Sequence, residues 1–476
     1  MSRYIKLAIC LLTFTSAFGQ EKWDLRKCVE YALEHNISIK QQDIQAKIAE
    51  LTLKQSKASQ IPSLNFGTNL GINTGRSIDR VTNQFTTESV WYNTFSLQSN
   101  VDLFNWFSKR NTIAGDKYES EASKAAVDKL KNDISLNIAS AYLQALLSKE
   151  QINISKVQIS QTQFQLDNTQ KLVNAGSLPE LNLAELEAQL ATDSSSLITA
   201  QGTETQSLLL LKSLLQLDAG VAFDVEAPPV EMIPIEPIGE MQPEAVYVLA
   251  LKNLPQQQVN KFRLEAAKKY SDAAKGAMYP SLSMGASLGT NYSTNKNNQQ
   301  LLSNTPIGLD TLARVFPSNA PVVVPKFDTR YRFFSNPYGT QLSDNFSNGI
   351  GLSLNVPIFN GRSARTNWQK QKLNVENLTL QQDLSNMTLK QDIYTAYTDA
   401  ITSMQKFNAS TKRVSSAQKA FDFAQKRYDV GLLNTIDLLT NQNNLFRAKI
   451  DRLSAQFDFV FKMKLLEFYR GQGLKL

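Results

Sequence analysis

Ser63-Leu-Asn-Phe-Gly-Thr-Asn-Leu-Gly-Ile-Asn73 alternates without a break. In an extended chain successive side chains point to opposite faces. Leu64, Phe66, Thr68, Leu70 and Ile72 therefore share one face, and Ser63, Asn65, Gly67, Asn69, Gly71 and Asn73 share the other. Three more stretches read the same way. Phe95, Leu97, Val101 and Leu103 alternate with Ser96, Gln98, Asn100 and Asp102. Leu282, Met284, Ala286, Leu288 and Tyr292 make a third apolar row. Ile350, Leu352, Leu354, Val356 and Ile358 make a fourth, opposite Gly351, Ser353 and Asn355. A strand of ~9–11 residues with an apolar outer and a polar inner face has the pattern of a membrane β-barrel. The competing reading is a soluble antiparallel sandwich. Trp91, Tyr92, Phe104, Trp106, Tyr292 and Phe359, near the strand ends, suit interfacial aromatic girdles.

The four strands belong to an internal duplication, which must be sought before any fold is named. Asn100-Val-Asp-Leu-Phe-Asn105 matches Asn355-Val-Pro-Ile-Phe-Asn360, and the shift from 100 to 355 is 255. Ala141-Tyr142 matches Ala396-Tyr397, and Ala175-Gly176 matches Val430-Gly431, at the same shift. Upstream the shift is 218, from Ala32-Leu33 to Ala250-Leu251 and from Pro62-Ser-Leu64 to Pro280-Ser-Leu282. The difference, 255 minus 218, places an insertion of 37 residues between Pro280 and Asn355. Each copy reads helix, strand, strand, long helix, turn, helix. The first occupies 20–217 and the second 246–476, and a proline-rich, acidic segment at 218–245 joins them. The insertion falls in a long loop, 293–348, holding Pro306, Pro317, Pro321, Pro325 and Pro337 with Phe327, Tyr331, Phe333 and Phe334. Passive surface loops are usual at such a place, while the aromatic residues fit a partial lid. The shorter first loop is expected over Thr74 to Asn93.

Four strands cannot enclose a lumen, since even eight leave an interior filled by side chains. An open edge in lipid leaves backbone groups unsatisfied. Subunits must pool strands, and three of them, with twelve strands, make a passage.

From Trp106 to Asn174 there is no proline, and Gly115 is the one glycine. At 1.5 Å per residue this is roughly 100 Å of helix. Ile134, Ile138, Ala141, Ala145, Ser148, Ile152, Ser155, Ile159, Thr162 and Leu166 step by four and three, as do Leu389, Ile393, Ala396, Ala400, Ser403, Phe407, Ser410, Val414, Ala417 and Phe421. A sustained period of 3.5 gives a left-handed coiled coil. Seams of small residues on otherwise polar helices suit a hollow, wetted cylinder rather than a solid bundle. Gly176 and Gly431 are placed to end the long helices in the left-handed conformation.

The chain of 476 residues is 42% hydrophobic with formal net charge +7, and its mean hydropathy is −0.28. Its long apolar run, Leu7 to Phe14, follows Arg3 and Lys6 and precedes Ala17 and Gly19, a secretory signal peptide over 1–19. Cys10 would leave with it, and Cys28 then stands alone, without a disulfide partner or a lipid anchor. Basic and acidic residues are interspersed on the helices, which argues for solvated faces and against nucleic acid. The single histidine, His35, suits a solvated position. With no metal-spaced cluster, phosphate loop or nucleophile motif, no catalytic, cofactor or metal site is expected.

The duplicated plan, the Val-x-(Leu/Ile)-Phe-Asn strand ends and Tyr-x-x-Gly-x-x-x-x-x-Asp-Leu-Leu at Tyr428 to Leu439 resemble the TolC family of outer-membrane factors over essentially the whole mature sequence. The resemblance implies a mostly α fold with a membrane β-barrel: a homotrimer with a twelve-stranded barrel in the outer membrane of a Gram-negative bacterium and a coiled-coil tunnel in the periplasm. The tunnel would meet a periplasmic adaptor (membrane fusion) protein and an inner-membrane pump, exporting small molecules or proteins. The turns Gly176, Ser177, Leu178, Gly431, Leu432 and Leu433 would touch the adaptor, and Tyr428 and Asp437 match gate positions. Asn182, Leu433 and Thr440 depart from charged residues that the family often carries there, so an electrostatic latch is not implied. Asp437 could either ring the axis with negative potential or simply favour its helix start. Outer-membrane lipid would meet Leu64, Phe66, Leu70, Leu97, Val101, Leu282, Leu288, Leu352, Leu354 and Val356. A trimeric coiled-coil surface adhesin is the alternative, although a fibre does not call for two hairpins inside a duplication.

Overall fold

The computed structural model describes residues 22–78, 85–226, 233, 235–294 and 298–471. The expected signal peptide with Cys10, and part of the joining segment, lie outside them. In chain order the elements are α1 (Leu25–His35), α2 (Ile37–Ala58), β1 (Ser63–Ile78), β2 (Phe85–Phe104), α3 (Ser108–Asn174), α4 (Glu180–Leu215), α5 (Pro243–Asn253), α6 (Pro255–Gly276), β3 (Ser281–Ser293), β4 (Asn298–Val315), β5 (Ala320–Phe334), α7 (Tyr338–Asp344), β6 (Ser347–Asn355), α8 (Ser363–Asp429) and α9 (Thr435–Tyr469). α1 and α2 recur as α5 and α6 at the 218 shift, and α3 and α8, 67 residues each, begin and end 255 apart.

Where one N-terminal helix per copy was expected, there are two, broken at the same register by different means. The Asn36 side chain accepts the N–H groups of Ser38 (2.9 Å) and Ile39 (3.3 Å), so it caps α2. In the second copy Pro255 drives Leu254 into the extended region at φ −71°, ψ 127°. The corners between strand and long helix also match. Trp106 and Phe107 (φ 48° and 61°) recur as Gly361 and Arg362 (φ 61° and 64°). Left-handed backbone at non-glycine residues is costly, and the fold makes it at both corners.

Two compact units emerge. One gathers residues up to Leu53, Gly115–Lys268 and those from Lys372 on. Its main core joins Cys28 and Ala32 of α1, Ile138, Tyr142 and Leu146 of α3, Leu211 and Leu215 of α4, Val225, and Phe457 of α9. The α8 seam follows the expected period, with Leu389, Ile393, Ala396, Ala400, Ser403, Ser410 and Phe421 buried. The α3 seam follows it only as far as Ser155. Beyond that the buried row is Gln158, Thr162, Gln165 and Thr169, and the expected Ile159 and Leu166 are half-buried. Two successive three-residue steps, Ile152 to Ser155 to Gln158, over-wind the pattern.

The second unit gathers Lys54–Ala114 and Lys269–Gln371. Its antiparallel sheet has the order β1-β2-β3-β6. The first loop is shorter than expected, because β1 continues to Ile78 and β2 begins at Phe85, pairing Thr74 with Ser89 and Arg76 with Thr87. The inserted segment is not an irregular loop. β4 and β5 form a two-stranded ribbon, and α7 follows. The five prolines of this segment fit an expected loop, yet they are compatible with a ribbon. In a ribbon both strands are edges, so a nitrogen without a proton can face outward. Pro306 sits beside a bulge, Pro321 and Pro325 lie in β5, Pro317 lies in the turn and Pro337 precedes α7.

Candidate functional site: the helix turns and the exposed strand face

Both long helices end in the same hydrogen-bonded turn. Gly176 (φ 69°) and Gly431 (φ 75°) are left-handed. The Ser177 N–H reaches back to Leu172 O at 2.8 Å and the Leu432 N–H to Arg427 O at 2.8 Å. These six-to-one bonds occupy carbonyls that a helix end leaves free. Among the turn residues singled out from sequence, Gly176, Ser177, Gly431 and Leu432 are exposed, and Leu178 and Leu433 are half-buried. Leu433 instead packs with Tyr428 against Phe421, Ala424, Leu438 and Leu445, closing a hydrophobic staple between the residue before the cap and the fourth of the helix. Sequence reasoning missed Val430, Ile436 and Leu181, which are 68, 60 and 65% exposed. Aliphatic side chains at a polar turn were the available signal.

The four residues at gate positions do not form one cluster of mutual bonds. The Tyr428 hydroxyl shares a 2.9 Å hydrogen bond with the Thr169 hydroxyl, tying α8 to α3. Asn434, not Asp437, caps α9, since its side chain accepts the Asp437 N–H at 2.7 Å. That leaves the Asp437 side chain in the first turn, exposed. Thr440 donates to Ile436 O at 2.7 Å along its own helix. The Asn182 N–H bonds Pro179 O at 3.2 Å, and the residue is half-buried.

A buried polar layer, which the sequence did not reveal, explains the slipped α3 seam. Thr162 donates to Asp193 Oδ2 at 2.6 Å, Gln158 Nε2 to the same oxygen at 3.4 Å, and Gln189 Nε2 to Asp193 Oδ1 at 2.8 Å. Gln442 Nε2 donates to Thr162 Oγ1 at 2.9 Å, so α3, α4 and α9 share one network. Gln189 and Asn443 exchange bonds of 3.3 and 3.1 Å, and Gln165 donates to Gln425 at 3.0 Å. Asp193 is only 4% exposed. A buried carboxylate needs such donors, and Gln158, turned toward it beside Thr162, takes the seam position expected for Ile159.

On the sheet, the apolar rows align across strands. Phe66 pairs with Leu97, and Leu97 with Leu288. Val101 pairs with Met284, and Met284 with Leu352. Leu282 pairs with Leu354, and Leu64 and Leu70 lie on the same face, opposite Ser99 and Asn93. Leu64, Phe66, Leu70, Ile350, Leu352 and Leu354 are 66 to 81% exposed. Three expected members fall outside this regular pattern, Ile358 lying past the end of β6 as Val356 does. Val356 lies past the end of β6 at Asn355, where Pro357 cannot extend a ladder. Leu103 is the extra residue of a bulge between Asp102 and Phe104, so Phe104 stands opposite Leu282.

Charge pairs brace the helices. Glu244 of α5 receives Lys390 Nζ at 3.0 Å and the Tyr394 hydroxyl at 2.9 Å, and these bonds hold its carboxyl below the usual range. Cys28 is buried and free, and burial pushes its thiol up to about 12. His35 is exposed, stacked on Tyr31 at 4.1 Å. Among the described residues, no group of three or more His, Cys, Asp or Glu side chains could hold a metal ion, and no helix is long and apolar enough to cross a membrane.

A family model described as outer membrane efflux protein matches residues 28–216 and 246–459. The outer membrane efflux protein BepC of Brucella suis is 20% identical over 369 residues, 77% of this chain and 69% of that one. The outer membrane protein TolC of Escherichia coli is 21% identical over 334 residues, 68% of this chain and 58% of that one. The match thus spans less than two thirds of the latter. Among solved structures, CusC superposes with a TM-score of 0.76 at 15% identity, covering 96% of both chains. The likeness to CusC shows the fold, and the surface-adhesin alternative finds no support among these relatives.

Proposed function

The chain belongs to the outer membrane efflux protein family, and from that premise we propose that three copies of it close into one duct of a tripartite efflux or type I secretion machine. The chain is an outer-membrane export channel of a Gram-negative cell. The observation that carries the three-copy reading is the sheet: four strands, β1 and β6 at its edges, and one exposed apolar face. In hydrocarbon each unpaired backbone group costs several kcal/mol, so β6 of one copy pairs with β1 of the next. Three four-stranded sheets make a twelve-stranded barrel, its apolar rows against outer-membrane lipid and its Ser, Asn and Gly rows lining the passage.

In this reading residues 1–19 are a signal peptide, 20–217 and 246–476 are the two repeats, and 218–245 joins them. The coiled-coil helices form a periplasmic tunnel. The turns around Gly176 and Gly431 meet a periplasmic adaptor, with the exposed Leu432 as the apolar contact, and the adaptor joins the duct to an inner-membrane pump. Tyr428 and Asp437 lie at the resting constriction, where the Tyr428–Thr169 bond and neutral Asn182 and Thr440 take the place of an ionic latch. The protein moves cargo passively, without a catalytic step or cofactor.

Two measurements test this. Native mass spectrometry of the detergent-extracted protein should read three copies, and a one- or two-copy mass would end the closure argument. A strain lacking the chain should accumulate an exported dye, and unchanged accumulation would end the export reading.

A further inference from the structure

We propose that the apolar face of the β4–β5 ribbon is a docking surface for the same ribbon of neighbouring copies, so that three ribbons meet at the loop rim of the barrel. This rests on the three-copy reading above. From Lys326 to Phe333 β5 alternates charged with aromatic residues, interrupted at Thr329, and the pairing register sets Leu301, Pro306 and Leu309 of β4 opposite the aromatic row and Pro325. Leu301 opposite Tyr331, Leu309 opposite Pro325, and Val323, Phe327 and Phe333 fall on one face. Asp310, Lys326, Asp328, Arg330 and Arg332 fall on the other, where Lys326 pairs with Asp310 at 3.4 Å and Arg330 with Asp328 at 3.3 Å. The charged face suits water. The apolar face is left open within one chain, with Leu309 68% and Phe327 46% exposed.

Such a face demands a cover, because a lone two-stranded ribbon is marginal in water and a contiguous exposed apolar patch marks an interface. Lipid is a poor cover. Both strands are edges, and their outward N–H and C=O groups would be unsatisfied in hydrocarbon. A second copy is the fitting one. The ribbon leaves the sheet between β3 and β6, and β6 is the edge that a neighbour must pair. Its base is also fixed. Gln341 of α7 accepts the Ser293 N–H at 3.0 Å and donates to Ser293 O at 2.9 Å. Thr290 donates to Leu342 O at 2.7 Å, and Asn93 to the Tyr338 hydroxyl at 3.0 Å. Identical ribbons held at one rim meet at a high effective concentration, which favours their association without new anchoring contacts. The consequence is an apolar constriction at the exit that cargo must part.

The test is disulfide trapping on intact cells in a Cys28→Ala background. Phe327→Cys and Tyr331→Cys, on the apolar face, should oxidise to a two-chain band, whereas Asp328→Cys and Arg332→Cys, on the charged face, should remain single chains. If the apolar-face cysteines stay unlinked, or both faces link equally, in protein whose native mass reads three copies, the docking inference is overturned alone. A native mass of one copy would remove the three-copy reading and this inference with it.

Discussion

Gly276 shows how a single residue can be dictated by backbone proximity. A Cβ built there would lie 2.7 Å from the carbonyl oxygen of Trp106, at the left-handed corner that turns β2 into α3. Backbone cannot yield as a flexible side chain can, so Gly276→Ala should destabilise by about 1–3 kcal/mol, as overpacking does. Denaturant unfolding of the extracted protein checks this, and Gly202→Ala, with open space around it, is the control. Cys28 makes a second case. Its thiol is pushed from 9.0 to about 12 by burial. The folded state therefore keeps a proton that the unfolded chain loses, so this contribution is full below pH 9 and is lost as pH rises toward 12. At pH 8 iodoacetamide should modify Cys28 in denaturant and spare it in the folded protein. Rapid labelling of the folded form would contradict the burial. That each copy opens on a helix was legible in sequence, but the burial of Cys28 beside Tyr142 was not, because Tyr142 is over a hundred positions away.

Among the elements, the buried layer around Asp193 decides how the long helices fit. Thr162→Val keeps the shape and removes the 2.6 Å donor to the carboxylate. It also takes away the acceptor used by Gln442. Leaving such groups short of partners costs about 1–3 kcal/mol, read as a lower denaturation midpoint, while Thr440→Val, exposed on α9, should change little. The sheet makes the opposite demand. Ile350 is 81% exposed on the apolar face. If lipid covers that face, Ile350→Arg should cost about 2–4 kcal/mol at mid-membrane depth, measured by folding into lipid vesicles. Ser353→Arg, of opposite alternation on β6, should cost far less. Equal costs would contradict the assignment of faces.

At the scale of the whole molecule the prediction concerns charge at the constriction. The cap of α9 is Asn434, and Asp437 is exposed in the first turn, as its proposed place at the constriction requires. Three such carboxylates about one axis would concentrate negative potential. Asp437→Ala should therefore weaken block by divalent cations in single-channel recordings several-fold. Unchanged block would mean that Asp437 only favours its helix start.

The sequence by itself determined whatever depends on neighbours a few residues away. The alternation of Leu64 to Ile72, the 255-residue shift that α3 and α8 obey, and the glycines ending both long helices are local patterns, written in the period of each element. Only the tertiary structure decided what depends on residues brought together from afar. Asp193 draws Gln158 into the seam position expected for Ile159. Five prolines that read as a loop lie in and around a ribbon whose outward edges do not need their N–H groups. In each case the partner is set by register between distant segments, and a one-residue slip in that register would change which groups meet.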